Sequence, residues 1–155
     1  MFTINFRSSF PEKTLLKYIN HPSIADRILE GTAALCLLSG IGIVCWNYFH
    51  TDLLSDYGVY GIFISIVVFA LLFGGAYAPV RCINFPVRIG KNINVVKQYI
   101  LVIKLIRIFN IFLTMFMVAG ILSDYYKWVA ILKVISLIIC VLSIGVYYIL
   151  AFRYK

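Results

Sequence analysis

Acidic residues are scarce in this chain, and so are the side chains that usually do chemistry. Its 155 residues include 6 Asp and Glu against 14 Lys and Arg, with only 2 His, 4 Cys and 4 Pro. Charged residues make up 13%, well below the roughly 25% of an ordinary soluble domain, which excludes that class. His21 and His50 are expected at opposite membrane faces, so they share neither a metal nor a proton. Cys36 and Cys45 fall on opposite sides of one helix, Cys82 lies in a connection and Cys140 in another span. That spacing fits no zinc site, and no cysteine is expected on the outer side, where disulfides form. There is no glycine-rich phosphate loop, no Ser-His-Asp set and no pair of carboxylates. Glu12, Asp26, Glu30, Asp52, Asp56 and Asp124 are all expected outside the hydrocarbon layer. A proton- or cation-coupled transporter normally keeps a carboxylate near the midplane, so that class is disfavoured. The expectation is a protein that is not an enzyme and carries no metal and no cofactor.

What the chain has instead is apolar length. Hydrophobic residues make up 63% of it and aromatic ones 16%. A helix needs about 20 apolar residues to cross a bilayer. Four runs are long enough, at 31–49, 57–80, 99–122 and 128–152, and they are too continuous for the alternating strands of a β-barrel. The sequence therefore predicts an all-α integral membrane protein over 1–155: a four-transmembrane-helix bundle of two consecutive hairpins. The first thirty residues are polar, unlike a cleavable signal sequence, so the first span is expected to be a retained anchor. No myristoylation or prenylation motif is present. Within 1–30, Ser9 and Glu12 have the spacing of a capping box. Leu15, Leu16, Tyr18 and Ile19 then offer apolar contact for a short interfacial helix; a disordered tail is the competing reading.

Lys and Arg mark the cytoplasmic side. They cluster before the first run (Arg7, Lys13, Lys17, Arg27), between the second and third (Arg81, Arg88, Lys91, Lys97) and at the tail (Arg153, Lys155). The other two connections carry Asp52 and Asp56, and Asp124 and Lys127. Both termini are thus expected in the cytoplasm, in a plasma membrane. The richness in Ile, Tyr, Phe, Asn and Lys fits an AT-rich coding sequence and so a bacterial inner membrane. The net charge of +8 reads as topology plus attraction to anionic head groups, not as nucleic-acid binding.

The tetrapeptide LSDY occurs at 54–57 and again at 122–125, each time before an apolar run. Ser or Asp there can cap the following helix; the pair is either two independent caps or the trace of a duplicated hairpin. Around the basic connection 81–98, in the stretch YAPVRCINFPVRIGKN, Pro79, Pro86 and Gly90 turn the chain before helical periodicity resumes near Asn92. Arg81, Arg88, Lys91, Lys97, Lys104 and Arg107 then form a basic cradle for lipid phosphates or an acidic partner, unless Lys104 and Arg107 only snorkel. Asp26 and Glu30, at the inner end of the first span, are the internal counter-charges for this group.

Helices in lipid are held by small and polar residues. Ala70, Gly74 and Ala78 form the strongest expected packing face. Thr32, Cys36, Gly40 and Asn47 make a second stripe, Asn110 and Thr114 a third, and Ser136, Cys140 and Ser143 a fourth. Lys133 is an ionisable group inside a span, roughly 7–8 Å below Trp128. It is expected to pair with Asp52, Asp56 or Asp124, or to bind a partner or an anion. Together these features describe a non-enzymatic protein that binds another membrane protein, or itself, through helix faces and short loops. An accessory subunit and an immunity or exclusion protein are two versions. The alternative is a small oligomeric channel or transporter, passing an anion rather than a cation.

Overall fold

The computed structural model describes residues 22–50, 56–79 and 95–153. They form four helices: α1 (Ile24–His50), α2 (Asp56–Gly75), α3 (Val95–Leu122) and α4 (Val129–Arg153). All four are long and apolar enough to cross a membrane, and no strand occurs among the described residues. The expected interfacial helix near Ser9–Ile19 and most of the basic connection lie outside the described residues.

Helix α1 begins well before residue 31, and its first turn shows why. Ser23 is the N-cap. Its hydroxyl oxygen accepts from the Asp26 N–H at 3.3 Å. The Asp26 carboxylate accepts in return from the Ser23 N–H at 3.1 Å and the Ser23 hydroxyl at 2.7 Å. This is a capping box with aspartate at its third position, which satisfies donors that a helix start leaves open. Helix α2 stops short of residue 80. Ala76 donates to the carbonyls of Leu72 and Phe73, and Tyr77 to that of Gly74, which tightens the last turn after the Gly74-Gly75 pair.

The two LSDY copies take different positions. Asp56 is the first residue of α2, whereas Leu122 is the last of α3. In the second copy Ser123 donates its hydroxyl back to the Gly120 carbonyl at 2.8 Å. It therefore closes α3 rather than capping α4.

Helix α3 is the centre of the molecule. It packs against α1, α2 and α4, while α1 and α2 touch each other only slightly. Accordingly 39% of its span is buried, against 11% for α2. Toward one end, Val44 of α1 and Val129 of α4 converge on Val118, Ala119 and Leu122 of α3. Toward the other, Tyr147 and Ala151 of α4 pack on Leu101, Val102 and Leu105. The outward faces of α2 and α4 carry exposed Phe63, Leu71, Ile131, Leu137 and Ile149, as a lipid-facing surface should.

Among the described glycines whose surroundings are resolved, Gly40 and Gly61 lie in close helix approaches, and neither belongs to the Ala70–Ala78 stripe. A Cβ on Gly40 would stand 2.5 Å from Val118 Cγ1, and one on Gly61 would stand 2.7 Å from Ile121 Cγ1. A Cβ on Gly74 would meet nothing within 4 Å, and Ala70 is exposed. The expected packing face of α2 is thus corrected at Ala70 and Gly74, whereas Ala78, just past the helix end, is half-buried and its carbonyl accepts from Tyr99. Ser65, fully buried, marks the side of α2 that meets α3. At 100° per residue Gly74 falls about half a turn round the helix from it. The stripes on the other helices fare better. Gly40, Asn47, Asn110, Thr114, Ser136 and Cys140 are buried, although Thr32 is exposed.

Gly40→Leu and Gly61→Leu should each lower the unfolding midpoint in mild detergent, by about 1–3 kcal/mol of overpacking. Gly74→Leu should leave it unchanged. Equal loss at all three positions in a thermal or denaturant melt would contradict this packing.

Candidate functional site

The most organised polar group lies where α1 begins. Asp26 and Glu30 are one turn apart, so they share a face of α1. Arg107 on α3 shares its face with Ile103, Asn110, Ile111, Thr114 and Val118, the row that packs toward α1. The contact between these faces brings charge to charge. Arg107 Nε donates to Glu30 Oε1 at 2.8 Å. Arg107 Nη1 lies 2.9 Å from Asp26 Oδ1, but out of line for a hydrogen bond, so this contact is electrostatic. Arg107 is 3% exposed and Asp26 not at all.

Tyrosines complete the arrangement. Tyr77, just past α2, donates its hydroxyl to Glu30 Oε2 at 2.8 Å, and its ring lies 5.8 Å from Arg107 Cζ. Tyr99 is fully buried and donates to the Ala78 carbonyl at 2.9 Å. The start of α1, the segment after α2 and the body of α3 are therefore tied through one guanidinium. Burial pushes the Tyr77 hydroxyl above its ordinary value, and donation to the Glu30 carboxylate raises it further. Its folded value being raised, the stabilisation is complete below about pH 10 and is lost only as pH rises through that folded value. Asp26 also sits in the first turn of α1, where the helix dipole favours negative charge.

Chemically this is a closed cluster. Both Glu30 oxygens and both Asp26 oxygens are engaged by neighbours in the chain. Among the described residues, no group of three His, Cys, Asp or Glu is placed to hold a metal ion. The cluster's role is to brace helices.

This alters the basic cradle. Arg81, Arg88 and Lys91 lie outside the described residues. Lys97 and Lys104 are exposed. Arg107, expected to face lipid head groups or a partner with them, is turned inward because its side of α3 meets Asp26 and Glu30. The counter-charges named from sequence are the ones it uses. Tyr77 and Tyr99 went unrecognised there, since an aromatic at a span boundary carries no mark of which carbonyl or carboxylate it will reach.

Other polar groups in the seams are also answered locally. Thr114 donates to Asn110 Oδ1 at 3.3 Å, and the Ser65 and Ser136 hydroxyls donate to carbonyls one turn earlier on their own helices. At the far end of the bundle Tyr126 donates to the buried Asn47 at 3.4 Å, joining α1 to the α3–α4 turn. Lys133 is half-buried, with its Nζ 6.0 Å from the centre of the Phe116 ring. It forms no ion pair with Asp124, which is exposed on the turn; the side chains of Asp52 and Asp56 lie outside the described residues.

No protein-family model, curated protein or solved structure matches this chain.

Arg107→Ala leaves two carboxylates without their cation. It should destabilise the fold by about 3–5 kcal/mol, whereas neutralising all three groups, Arg107→Met with Glu30→Gln and Asp26→Asn to keep acceptors for Tyr77 and Ser23, should recover most of the loss. Unfolding followed by helical circular dichroism in mild detergent checks both. An Arg107→Ala protein as stable as the parent would remove the brace.

Proposed function

We propose that this protein is a non-enzymatic, multi-pass component of a bacterial inner membrane that works by binding another membrane protein. In this reading α1–α2 and α3–α4 are two hairpins with both termini cytoplasmic. The docking surface is the outward face of α2. An accessory subunit and an immunity or exclusion protein are the two forms of such a role. Anionic lipids on the cytoplasmic side, drawn to the basic connection, would assist its placement.

The observation that carries the reading is the exposed Ala70–Gly74 face. Gly74 has open space where a Cβ would stand, and α2 is the least buried helix. A bare backbone patch of this kind lets a foreign helix approach closely. Among the described residues, polar groups in the helix seams are taken up within the chain itself. The buried charges are spent on one another around Arg107, and the seam hydroxyls are bonded within their own helices.

The competing reading is a small oligomeric channel or transporter for an anion, which draws on Lys133 as a cation without a carboxylate partner among the described residues. It requires several copies around a hydrated axis.

Gly74→Leu separates association from folding. The variant should fold with unchanged helicity yet lose a stoichiometric membrane partner on co-purification in mild detergent. Retention of that partner by the variant would overturn the α2 docking face. A symmetric assembly of this chain alone, conducting chloride in planar bilayers, would favour the channel.

A further inference from the structure

The face of α4 that meets α3 runs through Val129, Lys133, Ser136, Cys140, Tyr147 and Ala151. Each is buried except Lys133, which is half-buried. Ser136 answers its own polarity by donating to the Leu132 carbonyl at 2.6 Å. Lys133 has no comparable acceptor among the described residues. Its ammonium faces the Phe116 ring at 6.0 Å. A ring face attracts a cation, but it offers no lone pair to the three N–H donors of an ammonium. Inside a membrane span such a group is costly and calls for a partner.

The surroundings indicate what kind. Helical side chains lean toward the N-terminal end of their helix. For Lys133 that end is the α3–α4 turn, where exposed Tyr126 and Trp128 form an interfacial aromatic group. Lys133 lies roughly 7–8 Å deeper than Trp128, within reach of the interface for its long stem. Beside it, Val134, Leu137 and Val141 are exposed and share one face of α4 running away from the turn. An anion near the turn, followed by an uncovered apolar strip along the helix, matches a phospholipid.

We propose that Lys133, backed by Phe116, holds the phosphodiester of one phospholipid in the leaflet at the α3–α4 turn. One acyl chain of that lipid lies along Val134, Leu137 and Val141. The site does not depend on any protein partner.

The chain has 2 tryptophans, so Trp46→Phe with Trp128→Phe clears the background, and Leu137→Trp places a reporter beside the acyl chain. The full-length protein in mild detergent is titrated with brominated phosphatidylglycerol or brominated phosphatidylcholine, and quenching is read. Phosphatidylglycerol should half-quench at a concentration about fivefold lower than phosphatidylcholine. Lys133→Gln should abolish that difference and Lys133→Arg should keep it, with helicity unchanged in both. Equal affinity for the two lipids that Lys133→Gln weakens equally also supports the site, showing that the phosphate alone is read. Quenching by both lipids that Lys133→Gln leaves unaltered overturns the proposal and leaves Lys133 to a carboxylate on a neighbouring span.

Discussion

A guanidinium without water around it must be neutralised by the protein, and here that requirement organises one end of the bundle. Arg107 is held between Glu30 at 2.8 Å and Asp26 at 2.9 Å. The carboxylates are on α1 and the arginine on the central helix, so the pair sets the register of α1 against α3. Tyr77 extends the tie to the segment after α2. Removing one member of a buried pair is far more damaging than replacing all of it with apolar groups. The brace is therefore best seen as a constraint on which faces meet, and the capping box at Ser23 holds Asp26 ready for it.

Away from that end the helices meet through shape. Gly40 admits Val118 and Gly61 admits Ile121, so α1 and α2 both approach α3 closely without approaching each other much. Lipid tails offer no hydrophobic drive for helices to associate. Close backbone contact and a few internal polar bonds must do that instead, and both are concentrated on α3. The consequence is that α2 and α4 keep broad exposed faces. One carries the Ala70–Gly74 patch and the other the strip beside Lys133. The proposed partner and the proposed lipid each use a surface that the fold leaves uncovered.

Much of this was legible in the residues. Long apolar runs separated by charged segments located all four helices. Asn110, Thr114, Ser136 and Cys140 stood out as small or polar residues at helical spacing, and they are buried. Asp26 and Glu30 were recognisable as counter-charges because the chain has so few acids. The Ala70–Gly74–Ala78 stripe misled at Ala70 and Gly74 because spacing alone shows that a face is smooth and not which way it points. Arg107 misled for a related reason: a basic residue near a span end reads as a snorkelling cation until the opposing face is known to hold acids.

Composition and periodicity by themselves determined that this chain forms four membrane-length helices, since the length of an apolar run is a one-dimensional property measured against bilayer thickness. They also determined which residues are able to sit in a helix seam. Only the tertiary structure decided that α3 is the hub, that Gly40 and Gly61 are points of close approach, and that Arg107 faces inward. Those outcomes depend on the rotation of each helix about its own axis. That rotation is set by contacts between segments far apart in the chain, which no local pattern encodes.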